Sequence, residues 1–164
     1  MIARKSNPTE NTPNKELVLT RIFEAPRDLV FKAWIDPRHF AQWWGPGKFT
    51  NPVCELDARP GGAIRVVMRG PNGVGYPMGG VFHEIIEPER LAFTTTAFFD
   101  EAGKPRLRVL NTVTFEEMNG KTKLTLIAKV VESTPELAAP IAGMKEGWTQ
   151  SLERLDVEVA KISG

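Results

Sequence analysis

Of the proton-carrying side chains in this 164-residue chain, three stand out as candidates to serve a bound substrate: Tyr76, His83 and Glu84. All three fall in the apolar, glycine-broken run from Tyr76 to Ile86, which reads as a strand. Successive side chains on a strand point to opposite faces, so His83 and Glu84 cannot form a direct acid–base dyad. One of them, buried in a cavity, could still act as a lone general base, because burial shifts either pKa. Gly80, Phe82, Glu84 and Ile86 share one face while Val81, His83 and Ile85 share the other, and the pattern leaves open which face is inward. The commoner use of such residues is a solvated histidine and a glutamate paired with an arginine.

Other residues suit binding better than catalysis. Trp43-Trp44-Gly45-Pro46 could stack on a ligand, or could close short helices over a sheet, and Trp34 invites the same two readings. Met144 and Trp148 lie four apart on a helical stretch and share a face, an adaptable side chain beside a rigid one. They would either line an apolar pocket or fill a core. Asn111 has the phase of Val109, Val113 and Phe115, which makes it a candidate inward polar group. Arg65, Arg69, Arg106 and Arg108 alternate along strands, as on the outer face of a half-buried sheet; an inward one would suit a carboxylate or phosphate.

Several chemistries are excluded by their signatures. Gly73, Gly75 and Gly79 depart from the dinucleotide fingerprint and precede a strand rather than a helix. No phosphate loop, HExxH or GxSxG motif occurs, so no cofactor is expected. Cys54 is the only cysteine, which rules out an intramolecular disulfide, and with only His39 and His83 beside it a metal site is not expected. A buried, inert thiol is the default for Cys54.

The elements that must position these residues follow from periodicity. Leu17, Leu19 and Ile22-Phe23 mark a first strand ended by Ala25-Pro26. Pro26 suits the start of a helix carrying Leu29, Val30, Ala33 and Trp34, and Asp36-Pro37 starts a second, short one that Gly45-Pro46-Gly47 stops. From about residue 50 the period changes to two. Strands are expected over 53–56, 63–69, 76–86, 91–99, 107–116 and 122–131, separated by turn residues. Asn119-Gly120 is a hairpin signal of the type I′ kind. From Pro140 to Ile162 the apolar positions Ile141, Met144, Trp148, Leu152, Leu155 and Val159 step by three or four, which predicts one long helix. The fold class is therefore α+β, an antiparallel meander covered by a terminal helix.

Composition agrees with one globular unit. Residues 1–15 are polar and proline-broken and read as a flexible arm, leaving 16–164 as a single domain. Hydrophobic residues make up 41% and charged ones 25%, which excludes a disordered chain. A net charge of +1 argues against nucleic-acid binding. No run reaches the ~20 apolar residues of a membrane span. With no signal core and no disulfide, a cytoplasmic location is expected.

At the level of motifs, Arg21-Ile22-Phe23-Glu24-Ala25-Pro26-Arg27 followed by Ala33-Trp34, Asp36-Pro37 and Trp43-Trp44-Gly45-Pro46 resembles the amino-terminal signature of START-like (SRPBCC) proteins. The branch it is similar to is that of homologues of the activator of the heat-shock-protein-90 ATPase. Asp57-Ala58-Arg59-Pro60-Gly61-Gly62, Pro88-Glu89-Arg90-Leu91, Thr122-Lys123-Leu124 and Gly143 to Trp148 extend the likeness over about residues 16 to 162. The resemblance implies a helix-grip fold: a curved antiparallel sheet around a long carboxy-terminal helix, with a mostly apolar cavity between them. The candidate lining from the helices is then Trp34, Trp44, Met144 and Trp148. From the strands it is Met68, Phe82, Glu84, Phe93, Asn111 and Val113. The expected activity is binding of a small hydrophobic molecule, such as a lipid, an aromatic or a polyketide-like metabolite. A cyclase-type enzyme using His83, Glu84 or Tyr76 is the alternative, and a chaperone-regulating module ranks third. A homodimer stays open.

Overall fold

The computed structural model describes residues 15–163; the arm expected over 1–15 lies, but for Lys15, outside the described residues. Strand β1 (Glu16–Phe23) leads into helix α1 (Arg27–Ile35) and helix α2 (Pro37–Trp43). Six strands follow: β2 (Thr50–Leu56), β3 (Ala63–Arg69), β4 (Gly75–Ile86), β5 (Arg90–Phe99), β6 (Pro105–Met118) and β7 (Lys121–Glu132). All pair antiparallel in one sheet of order β1-β7-β6-β5-β4-β3-β2. Only β1 leaves the meander, closing back on β7 across the length of the chain. The sheet grips the carboxy-terminal helix, which is the helix-grip arrangement.

Local chemistry explains the element ends. Pro26 sits at the N-cap of α1, one residue before the helix proper. Asp36 caps α2, its carboxylate accepting from the Arg38 backbone N–H at 2.9 Å, with Pro37 at a position whose missing N–H costs nothing. Two bonds from the Arg38 guanidinium to the same carboxylate are the chief reason its pKa is lowered to about 2. Asn119 and Gly120 both have positive φ, +53° and +83°, as a type I′ hairpin turn between β6 and β7 requires.

The single helix expected from Pro140 to Ile162 is corrected to two. A 3-10 turn, Pro135–Leu137, runs into short helix α3 (Ala138–Ala142), and the long helix α4 (Met144–Ser163) begins only after Gly143. Gly143 has φ −86° and ψ 0°, outside the helical well. Its N–H is taken by the carbonyls of Ala139 and Pro140, which ends α3. The apolar stripe runs through this break, because Ile141 is buried from α3 and Leu152, Leu155 and Val159 from α4. Periodicity reports which face is apolar and passes over a one-residue interruption.

The main core lies where α1, α2 and the later turns of α4 cover the sheet. Trp34, Trp43, Phe31, Phe23, Phe82, Phe93 and Phe115 are all buried there. A smaller cluster, Val109, Ala128, Val130, Leu137 and Ile141, lies under α3, with Met144 and Trp148 packed against it. Trp148 also packs against the main core, so it stands between the two.

Candidate functional site

Between those clusters lies a cavity of about 550 Å³. Its wall on the helix side is Met144, Gly147, Trp148 and Ser151 of α4 with Pro140 and Gly143 before it. Gly147 adds no side chain, and a Cβ there would meet open space. On the sheet side the lining is Met68 of β3, Tyr76 and Met78 of β4, Thr95, Ala97, Phe98 and Phe99 of β5, and Leu107, Val109 and Asn111 of β6. Trp44, Gly45, Pro46 and Phe49, from the link between α2 and β2, close a third side. Among the described residues that line it, none is an acid, a lysine, an arginine or a histidine.

That third wall is fixed to α4 rather than left as a loop. Gly45 takes φ +95°, which glycine alone adopts freely, and its N–H donates to Ser151 Oγ at 3.1 Å. Arg154, one turn below, donates from Nη1 to the carbonyls of Trp44, Gly45 and Pro46 and from Nη2 to that of Gln42. Partial burial pulls the Arg154 pKa down, and these four carbonyls compensate for the hydration it loses. Asn51 adds bonds from Nδ2 to the carbonyls of Ala41 and Trp44, each 2.9 Å. The result is a set position for Trp44, stacked on Phe40 at 4.7 Å and edge-on to Trp148 at 5.2 Å. Trp148 in turn stacks against Trp34 at 6.0 Å. At the opposite rim Phe98 has φ +57°, a left-handed conformation unfavourable for an aromatic residue, and Arg106 Nε donates to its carbonyl at 3.1 Å. The residue remains 40% exposed at the cavity edge.

Five of the ten residues expected to line a cavity do so: Trp44, Met68, Asn111, Met144 and Trp148. The structure does not bring the other five to it. Trp34, Phe82, Phe93 and Val113 have the inward phase but are at most 2% exposed within the packed core. Glu84 leaves the inward face for a different reason. A register shift between Phe82 and Glu84 makes His83 an unmatched residue in the ladder, so the buried phase passes from Phe82 to Ile85. Glu84 ends half-exposed at the sheet surface, bonded to Arg90 Nε at 2.6 Å. His83 is exposed and bonded to Thr94 Oγ1. Of the three candidate proton carriers, only Tyr76 reaches the cavity, at its exposed rim.

Thr95, Phe99 and Met78 were within reach of the sequence, since they share the phase of Phe93 and Phe82. Phe49, Phe98 and Ser151 carried no such signal, because a link residue, a left-handed residue and a polar helix residue follow no apolar period. Cys54 lies away from the cavity, and burial, with Glu55 beside it, pushes its thiol up to about 11, which keeps it protonated and unreactive. Among the described residues no group of three or more acids, histidines or cysteines is placed to hold a metal ion, and no helix is long and apolar enough to cross a membrane.

Known proteins of the same shape are numerous. A protein from Chromobacterium violaceum superposes with a TM-score of 0.76 at 31% identity, over 90% of this chain and 97% of that one. A protein from Arthrobacter aurescens gives 0.77 at 26% identity, over 89% and 86% of the two chains. The AHSA1 protein of Silicibacter pomeroyi gives 0.72 at 26% identity, over 89% and 98%. No curated protein matches the sequence significantly. The model of the family described as Activator of Hsp90 ATPase homolog 1-like protein matches residues 24–160, from the end of β1 into the last turn of α4, and the chain belongs to that family.

Proposed function

We propose that the protein binds a small, hydrophobic, uncharged molecule in the cavity between its sheet and the amino-terminal half of α4. The observation that carries this reading is the lining itself: about 550 Å³ bounded, among the described residues, by six aromatic side chains and three methionines and by no ionic group. That volume is within the ~300–1,000 Å³ usual for small-molecule sites, and a void so apolar gains most by exchanging water for apolar surface. Each CH₂ withdrawn from water contributes on the order of 0.8 kcal/mol. Trp44, Trp148 and the methionines supply flat and polarisable surfaces suited to a ring.

A cyclase-type reaction would have to use Tyr76, as His83 and Glu84 lie elsewhere, and a chaperone-docking role, which the family's name suggests, has no matching feature at the cavity. The test is titration with the neutral solvatochromic dye Nile red. Saturable one-to-one binding with a change in tryptophan emission is expected, since Trp44 and Trp148 border the space. Non-saturating or absent binding by the folded protein overturns the proposal.

A further inference from the structure

Among the described residues the sheet ends in two edge strands, β1 and β2, and they are finished differently. In β2, Pro52 carries no N–H, and the register with β3 breaks between Thr50 and Val53. Both features keep an edge from taking on a further strand. In β1 neither occurs. Its eight residues pair with β7 in unbroken register, and Glu16–Phe23 includes no proline, glycine or lysine.

The backbone groups that β1 turns outward can be named. The Val130 N–H donates to the Lys15 carbonyl at 2.8 Å, and the register sets these two residues opposite each other. Opposed residues of an antiparallel pair alternate between bonded and non-bonded. Leu17, Leu19, Arg21 and Phe23 therefore bond to β7, while Val18, Thr20 and Ile22 direct their N–H and C=O groups away from the sheet. Among the described residues no backbone bond outside the β1–β7 ladder reaches those three. Their side chains lie on the face opposite the core, with Val18 56% and Ile22 47% exposed.

A strand that covers this edge must set neutral, branched side chains against Val18, Thr20 and Ile22. A second β1, turned end for end about a two-fold axis through Thr20, does so. Val18 then lies opposite Ile22 of the other copy and Thr20 opposite Thr20, all as bonded pairs on one face. A slip of one residue would oppose bonded with non-bonded positions and join opposite faces of the two sheets. A slip of two would set an acid, Glu16 or Glu24, against Ile22 or Val18. In the unslipped register Glu16 meets Glu24 at each end, and a lysine attends both: Lys129 opposite Glu16, and Lys121 at 3.3 Å from Glu24.

We propose that β1 is a dimerisation edge, joining two copies of this chain into one continuous sheet about a two-fold axis through Thr20.

The test is analytical ultracentrifugation of the full chain, with amide hydrogen exchange alongside. The native protein should form a dimer with a dissociation constant in the micromolar range, as suits a small interface. The amides of Val18, Thr20 and Ile22 should exchange more slowly as the dimer fills. Thr20 is exposed, so a charge there leaves the monomer folded. Thr20→Lys and Thr20→Glu should each weaken association about tenfold, because like charges meet at the axis. An equal mixture of the two should recover association to within about threefold of native, since lysine then faces glutamate. Ile22→Lys, also exposed and facing Val18, should weaken association likewise and serves if a Thr20 variant does not fold. A native protein that stays monomeric at about 1 mM overturns the proposal. So does a dimer that these substitutions leave intact, or a mixture that does not recover. Slow exchange at the three amides in a monomer would assign the edge to a segment of the same chain and overturn it as well.

Discussion

One sheet and one helix make two interfaces of opposite kind. Along Leu152, Leu155 and Val159 of α4 the space to the sheet is filled, with Trp34 against Trp43 at 4.6 Å and Phe31 against Phe115 at 4.9 Å. Along Met144, Gly147, Trp148 and Ser151 it is hollow. Both halves of the sheet are apolar, so hydrophobicity does not separate them. The difference lies in what is laid across. Helices α1 and α2 bring Phe31, Trp34, Phe40 and Trp43 over the filled half. The other half is spanned by a five-residue helix, by Gly143 and Gly147, and by a link held back at its edge by Arg154 and Ser151. A cavity here is the consequence of withheld side chains, and a packed core the consequence of supplied ones.

The largest expected effect comes from emptying the filled half. Trp34 is fully buried and touches Trp43, Phe93, Phe115 and Trp148. Trp34→Ala should destabilise the protein by about 3–5 kcal/mol, the cost of a large core truncation that its neighbours cannot close over. Chemical denaturation measures it directly. A loss below about 1 kcal/mol would mean that the filled half is as loosely packed as the hollow one, and the contrast would fail.

The same contrast separates what sequence could reveal from what it could not. Strand phase is a property of neighbouring residues, and it placed Val109, Asn111 and Val113 on one face correctly. How far along the strand the cavity begins depends on which helix lies above, so Val109 and Asn111 line it while Val113, two residues on, is core. Phe93 against Thr95 repeats the pattern on β5. The site residues expected from phase alone therefore err towards the filled half. Glu84 failed by another route, since the unmatched His83 shifts the phase, and nothing in the local composition announces a bulge there. Turns and caps were more legible, because Asp36-Pro37 and Asn119-Gly120 act through their own backbone and need no distant partner.

A smaller effect, one that acid removes, tests how the roof of the filled half is fastened. Asp36 caps α2, and its pKa is lowered from 3.8 to about 2 mainly by the Arg38 side chain. A carboxylate whose folded pKa is depressed stabilises the fold above its unfolded pKa and loses that contribution as pH falls through the folded one. The contribution is therefore present above about pH 4 and fades between about 4 and 2. Asparagine keeps the cap but not the charge, so Asp36→Asn should cost about 1 kcal/mol near neutrality, and the gap should close as the native carboxyl is protonated. Melting temperatures from pH 5 down to 2 should fall more steeply for the native protein than for the variant. Parallel slopes would show that the cap does not hold α2 through its charge.

The smallest expected change in stability is also the sharpest test of the hollow half. Met144 begins α4 and faces the cavity, where a larger ring has room to turn inward. In a packed core Met→Trp would force its neighbours apart and cost ~1–3 kcal/mol. Into about 550 Å³ of unoccupied space it should cost little, and the denaturation midpoint of Met144→Trp should stay within about 0.5 kcal/mol of the native protein. Ligand capacity should respond in the opposite sense, because the indole takes the volume a guest would use, and Nile red affinity should drop at least tenfold. Trp34→Ala and Met144→Trp thus form a crossed pair: removal harms stability in one half, and addition harms binding in the other. A Met144→Trp protein that melts far earlier while binding the dye as before would show that this end is packed too, with nothing left of the distinction between a supplied core and a withheld one.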